Sequence, residues 1–258
     1  MDKRGQTTVF IILGLVIFAA VGFMMVFKGE FIQSYLDSSM GKTSISPEVE
    51  PINEFVLDCI KSIGNDALYI IGQHGGYFES NELSTINGVA YYVYDNRELV
   101  PSLDVIEEEL NKYINAELTY CIDSFSNFTS FNVKGGGVNS EVDIKNEKVV
   151  INVDYPLEIT KGGVKFELNE FNIEIPLRFS LIHEVIKEIV QKEVEDPDYV
   201  CLSCNLKLSL ENDFYIDSEN YGEDTVIYTI VDPNSELGGF HYSSDFQYYN
   251  FLFAVKYG

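Results

Sequence analysis

Residues Val9 to Phe27, VFIILGLVIFAAVGFMMVF, run for nineteen positions without a charge, an amide or a proline. At 1.5 Å per residue a helix of that length reaches about 28 Å, close to the roughly 30 Å hydrocarbon core of a bilayer. The pattern predicts a transmembrane helix. Beyond it Phe27, Phe31, Ile32, Tyr35 and Leu36 keep to one helical face, which carries the helix to about residue 40. This extension reads either as a stub lying on its own ectodomain or as a face that meets copies of itself. Lys3 and Arg4 precede the apolar run, and the balanced pair Lys28 and Glu30 follows it, so the N-terminus is expected in the cytoplasm.

Residues 41–51 (GKTSISPEVEP) are small, polar and broken by two prolines, the mark of a linker. Three helices are expected after it. The first holds Ile52, Val56, Cys59, Ile60, Ile63, Ala67 and Ile71 at near-helical spacing and stops at the glycines of Gln73-His74-Gly75-Gly76. The second opens at Pro101-Ser102, with Ser102 as N-cap and Asp104 in the first turn. Ile106, Leu110, Tyr113, Ile114 and Leu118 form its stripe, and the run Glu107-Glu108-Glu109 is expected to face water. The third spans 180–195, around Ile182, Val185, Ile186, Ile189 and Val190, and ends at Asp196-Pro197.

Elsewhere the period is two. Residues 89–94 read as a short strand, and from Ser140 successive strands alternate, with turns at Asn146-Glu147 and Lys161-Gly162-Gly163. Residues 205–210, 214–217, 225–231 and 246–257 also read as strands. The fold class expected is therefore α+β: a transmembrane helix, then an ectodomain of about three helices packed on an antiparallel β meander. Its divisions are a cytoplasmic leader over 1–8, the membrane helix with its amphipathic extension over 9–40, the linker over 41–51 and the extracytoplasmic domain over 52–258. Gly135-Gly136-Gly137 would serve as a hinge if that domain divides near residue 138.

Charge narrows the partners. Forty-one Asp and Glu against 17 Lys and Arg leave a net charge of −24, which repels phosphate backbones, so nucleic acid is not an expected partner. It also repels anionic headgroups, so the ectodomain should stand off the bilayer that holds its anchor. Outside the cytoplasm the four cysteines are expected in disulfides. Four allow three pairings. Cys201 and Cys204 are near enough in sequence to close on each other, in which case Cys59 and Cys121 would link two helices. Asn127-Phe128-Thr129 is a glycosylation sequon in an expected loop, with Asn127 the candidate acceptor.

Three readings compete for the amino terminus. A cleaved secretory signal would need a shorter apolar region and a small-x-small exit, whereas this run leaves through Phe23-Met24-Met25. A plain signal anchor fits the hydropathy. The third reading rests on Lys3-Arg4-Gly5-Gln6-Thr7-Thr8-Val9-Phe10, which resembles the leader of archaeal type IV pilin-like proteins. The resemblance covers about 25 residues and implies that a prepilin peptidase cuts between Gly5 and Gln6. The apolar helix would then remain on the mature chain and drive self-association, with Phe10, Phe27, Phe31 and Tyr35 on its assembly face. Thr8 matches the hydroxyl residue usual at the third mature position, while Phe10 stands where that family usually carries Glu. The ectodomain, with its Gln73-His74-Gly75-Gly76-Tyr77 turn, resembles uncharacterised membrane-anchored surface proteins of small-genome archaea, a likeness that implies no function.

Other motifs fail on chemistry. His183-Glu184 lacks the second His of a zinc-protease helix, since position 187 is Lys, and reads as a surface histidine. Cys201-x-x-Cys204 has redox spacing, but the following residues read as strand and Asp196 and Asp198 would disfavour a thiolate. A structural disulfide is the preferred reading. Asp217 to Gly222 departs from a calcium loop at Tyr221. No cofactor, metal site or catalytic residue is expected. The function expected is a non-enzymatic, membrane-anchored surface protein, either a filament subunit or a monomeric adhesin. An extracytoplasmic thiol oxidoreductase using Cys201 and Cys204 is the alternative from another class.

Overall fold

The computed structural model describes residues 45–122, 125–197, 199–240 and 246–257. The membrane run Val9–Phe27, the leader, and the face residues Phe10, Phe27, Phe31 and Tyr35 lie outside them. Residues Pro51–Gly258 make one compact unit of α+β class, with four helices and two largely antiparallel sheets. The helices are α1 (Glu50–Gln73), α2 (Leu103–Ile122), α3 (Phe179–Glu195) and α4 (Leu202–Asn212).

The first sheet contains β3 (Asn132–Gly135), β4 (Asn139–Ile144), β5 (Lys148–Lys161) and β6 (Val164–Pro176). Strands β4, β5 and β6 form the meander that the alternation predicts, and β3 continues the edge of β4 along the far half of β5. Both expected turns are two-residue loops, since Ile144 pairs towards Val149 and Lys161 faces Val164. Gly162 and Gly163 take positive φ, 56° and 86°, as a twist-matched hairpin requires. Strand β5 is 14 residues long. It runs on through a bulge at Tyr155-Pro156, because Pro156 has no N–H to donate and the register slips there.

The second sheet has the order β2-β1-β9-β8-β7, built from β1 (Tyr91–Tyr94), β2 (Arg97–Glu98), β7 (Tyr215–Asn220), β8 (Thr225–Gly238) and β9 (Phe246–Lys256). It does not belong to a single meander, since β1 lies parallel to β9, its neighbour from more than 150 residues later. The β1–β2 turn uses Asp95 and Asn96 at φ 50° and 56°, the left-handed region these side chains tolerate best after glycine.

Helix α1 joins the two sheets. Gly64 admits the δ-carbons of Ile151 and Ile175, which would stand 2.6 and 3.1 Å from a Cβ placed there. Gly72 lies against β9, where the Asn250 carbonyl would be 2.4 Å from the same atom. An alanine at either position would push helix and sheet apart. The Asn65 amide donates to the Gly238 carbonyl at 2.6 Å, and Gln73 bonds Asn250. On the second sheet the core is aromatic: Tyr92, Tyr228, Tyr249, Phe251 and Phe253 are buried, and Phe179 of α3 packs on Tyr249 and Phe251. The Tyr228 and Phe253 rings stack at 5.0 Å, and Phe179 meets Phe251 edge-on at 5.6 Å.

Helix α2 corrects one expectation. Glu107 is half-buried and accepts the Ile144 N–H at 2.7 Å, and Asn115, two turns on, accepts the Ser140 N–H at 2.9 Å. Asn111 between them bonds the Ser140 hydroxyl at 3.1 Å. A polar row at i, i+4 and i+8 thus closes the outer edge of β4, supplying acceptors that a missing strand would have supplied. Glu109 accepts the Phe78 N–H at 3.1 Å, which leaves only Glu108 of the three fully exposed.

Candidate functional site

The structure joins Cys59 to Cys121 and Cys201 to Cys204, and no described cysteine is free. The first bond ties the middle of α1 to the last turn of α2 across 62 residues of sequence. The second closes a single turn. Closed disulfides of both kinds are consistent with an oxidising environment outside the cytoplasm.

The surroundings of Cys201 differ from the strand expected there. Residues 202–212 form helix α4, a fourth helix absent from the sequence reading, and Cys201 is its N-cap. Its sulfur accepts the Cys204 N–H at 3.3 Å and lies 3.6 Å from the Ser203 hydroxyl. The physical reason is geometric. A disulfide needs its Cα atoms about 4.4–6.8 Å apart, and an extended chain separates residues i and i+3 by about 10 Å. Here the separation is 5.2 Å, one helical turn. The objection that Cys201 lies away from a helix N-terminus is therefore removed, and both sulfurs belong to half-exposed residues. Asp213, left-handed at φ 55°, ends the helix.

The same helix turns its leucines outward. Leu202, Leu206 and Leu210 are 64, 62 and 74% exposed, while Leu208 and Asn205 face the core. Lys207 and Glu211, 3.7 Å apart, are the only charges on the helix.

His183 also departs from expectation. It is buried, not on the surface, because α3 turns it towards the start of α2, where its Nε2–H donates to the Pro101 carbonyl at 2.8 Å. Burial pushes its pKa below the ordinary histidine value and keeps the ring neutral. Ser102, Ser180, Glu184 and Lys187 line the shallow pocket beside it.

Two buried carboxylates escaped the sequence reading. Asp232, fully buried at the bulge of β8, takes a two-pronged bond from Arg178 at 3.0 and 2.5 Å, together with the Ser235 hydroxyl at 2.5 Å and the Asn234 N–H at 3.0 Å. Arg178 also donates to the Asn212 carbonyl at 3.2 Å and lies over the Phe214 ring, so one ion pair ties α3, α4 and β8 together. Among the described residues Glu193 meets no cation. Tyr228 donates to one of its oxygens at 2.5 Å and Tyr257 to the other. Burial raises the Glu193 pKa above the usual carboxylate range against the opposing pull of the two phenols, and the Tyr228 hydroxyl is raised in turn. No local sequence signal marks either acid, because Arg178 on Asp232 and the two tyrosines on Glu193 lie 35 to 64 residues away.

A cavity of about 580 Å³ opens beside the Cys59–Cys121 bond, between α1 and the ends of β6 and β8. Asp58, Lys61, Glu174 and Glu236 line it together with Phe55 and Phe246. Among the described residues no group of three or more His, Cys, Asp or Glu side chains is placed to hold a metal ion. Asn127 ends a short 3₁₀ turn, Phe125–Asn127, and it and Thr129 are exposed. Gly5 and Gln6 lie outside the described residues. Comparison of the chain with protein-family models, with curated proteins and with solved structures finds no match.

Proposed function

We propose that this chain is a single-pass, membrane-anchored cell-surface protein with a structural or interaction role, its copies assembled through the N-terminal helix as subunits of a type IV pilin-like filament. The observation that carries the reading is the uncharged run Val9–Phe27 directly behind Lys3-Arg4-Gly5-Gln6. The two disulfides support the extracytoplasmic placement of the domain that follows. Among the described residues no helix is long and apolar enough to cross a membrane. Mass analysis of the N-terminus of the native protein tests the reading. A mature chain beginning at Gln6, found in filaments sheared from the cell surface, is the expected result. An intact Met1 on a chain that never enters filaments would leave the monomeric anchored adhesin.

One observation favours a second reading, an extracytoplasmic thiol oxidoreductase. The Cys201–Cys204 bond is half exposed at the N-terminus of α4, where the helix dipole and the Cys204 N–H would stabilise a Cys201 thiolate. Such an enzyme would accept two electrons from a substrate dithiol, leaving a substrate disulfide and the reduced Cys201/Cys204 pair. Alkylation at graded glutathione poise separates the readings. Labelling of Cys201 under conditions that leave Cys59 and Cys121 joined supports the enzyme, and equal resistance of both bonds ends it.

A further inference from the structure

We infer that the outward leucine row of α4 is a contact surface for a second copy of this chain, an inference that rests on the proposed gathering of copies in one membrane. Leu202, Leu206 and Leu210 stand at i, i+4 and i+8, so they form one continuous ridge along an 11-residue helix. The rest of that helix is anchored: Leu208 and Asn205 are buried beneath it, and the Cys201–Cys204 bond fixes its first turn. The ridge is thus rigid and presents its shape before any partner arrives.

Charge selects the partner. Over the whole chain the net charge is −24, so two copies repel over most approaches. Across residues 202–212 the only charges are Lys207 and Glu211, which cancel. Two copies can therefore meet at this face with less repulsion than over most of the surface, each bringing Lys207 and Glu211 to the border of the contact and Asp213 to its far end. A bilayer is a poorer fit. Helices that lie in a membrane interface carry Lys and Arg along their polar side, and this one has a single Lys paired to Glu211. A self-complementary ridge generates a two-fold contact, and rows of i±4 spacing interdigitate at a crossing angle of about 50°.

The size of the ridge says when the contact forms. Three leucines at this exposure offer roughly 350 Å² per copy, about half of what a stable interface of standard size buries on each side. Freely diffusing copies would separate. Copies held side by side by their N-terminal helices meet at an effective concentration in the millimolar range, where so small a surface suffices.

The test uses the full chain in phosphatidylcholine vesicles, as a mixture of isotopically light and heavy copies. A benzoylphenylalanine photoprobe replaces Leu206 in one preparation, Phe31 in a second and Ile86, 92% exposed, in a third. The position-206 probe is expected to join light to heavy chains at residues 202–212 of the other copy, whereas the position-86 probe does not. With Leu202→Glu and Leu210→Glu added, that product should fall at least about tenfold, since each carboxylate would have to be desolvated in the contact. Intact disulfides in the variant, read by mass, show that the domain still folds. Cross-links from position 206 to lipid, to its own chain or to nothing overturn the inference. The position-31 probe reports assembly through the N-terminal helix separately. If it joins copies while the position-206 probe does not, the ridge fails and the filament reading stands, and the converse result keeps the ridge and removes that mode of assembly.

Discussion

Helices α3 and α4 are neighbours in sequence and carry similar shares of aliphatic residues, yet they use them in opposite ways. On α3, Ile182, Val185, Ile186, Ile189 and Val190 all turn inward, at 2% exposure or less. On α4, three of four leucines turn outward and one inward. The first helix is held by the side chains it buries. The second buries only Asn205 and Leu208 and is otherwise held at its ends, by the Cys201–Cys204 bond at one and by Asp213 and the Arg178–Asn212 bond at the other. Apolar content alone does not tell whether a helix is being held in place or is holding out a surface.

Substitutions on the two helices should separate these modes. The largest effect is expected from Ile186→Ala, which deletes fully buried methyl groups and should cost about 2–5 kcal/mol in urea unfolding. Next comes Cys201→Ala with Cys204→Ala. Opening so short a loop costs about 2 kcal/mol in the chain-entropy model. The loss should fall on α4, seen as faster amide exchange over 202–212 with α3 unchanged. Should α3 exchange equally fast, the two helices form one cooperative unit and the contrast fails.

Glu193 gives a smaller effect with a definite sign. Burial raises its pKa in the folded state above 4.5, and Asp196 adds to the rise, so between these values the native state holds a proton that the unfolded chain has released. Its contribution to stability is full below about pH 4.5 and is lost as pH rises through the folded-state value. Glu193→Gln removes this slope, so the stability of the native protein relative to that variant should decline as pH rises. A relative gain over the same range would mean that the two phenol bonds outweigh burial. The smallest effect is expected from Leu206→Ala, within about 0.5 kcal/mol in dilute solution.

The same contrast explains what could be read from the sequence. Helix α3 was legible because every turn repeats the 3.6 period, and β4 to β6 because alternation persists between recognisable turns. Helix α4 was not, since Leu206, Leu208 and Leu210 alternate as a strand would, and only the span limit on a Cys201–Cys204 bond speaks against it. The Glu107, Asn111 and Asn115 row has helical spacing, but a polar row looks solvated until β4 is seen beside it. His183 was misplaced for the same reason. The parallel pairing of β1 with β9 has no local signal at all. Of the site residues, the four cysteines were legible from their number and spacing, whereas Arg178, Tyr228 and Tyr257, which bond Asp232 and Glu193, lie far from them along the chain.

Strand β9 lies between β1 and β8, at the centre of the second sheet. During synthesis, β1 and β8 both leave the ribosome before the strip of backbone that will separate and join them. Until residue 253 has emerged, Tyr92 and Tyr228 lack the Phe253 ring that both stack on, and until residue 257 has emerged the Glu193 carboxyl lacks the Tyr257 hydroxyl. The second sheet is therefore completed only by the last strand of the chain.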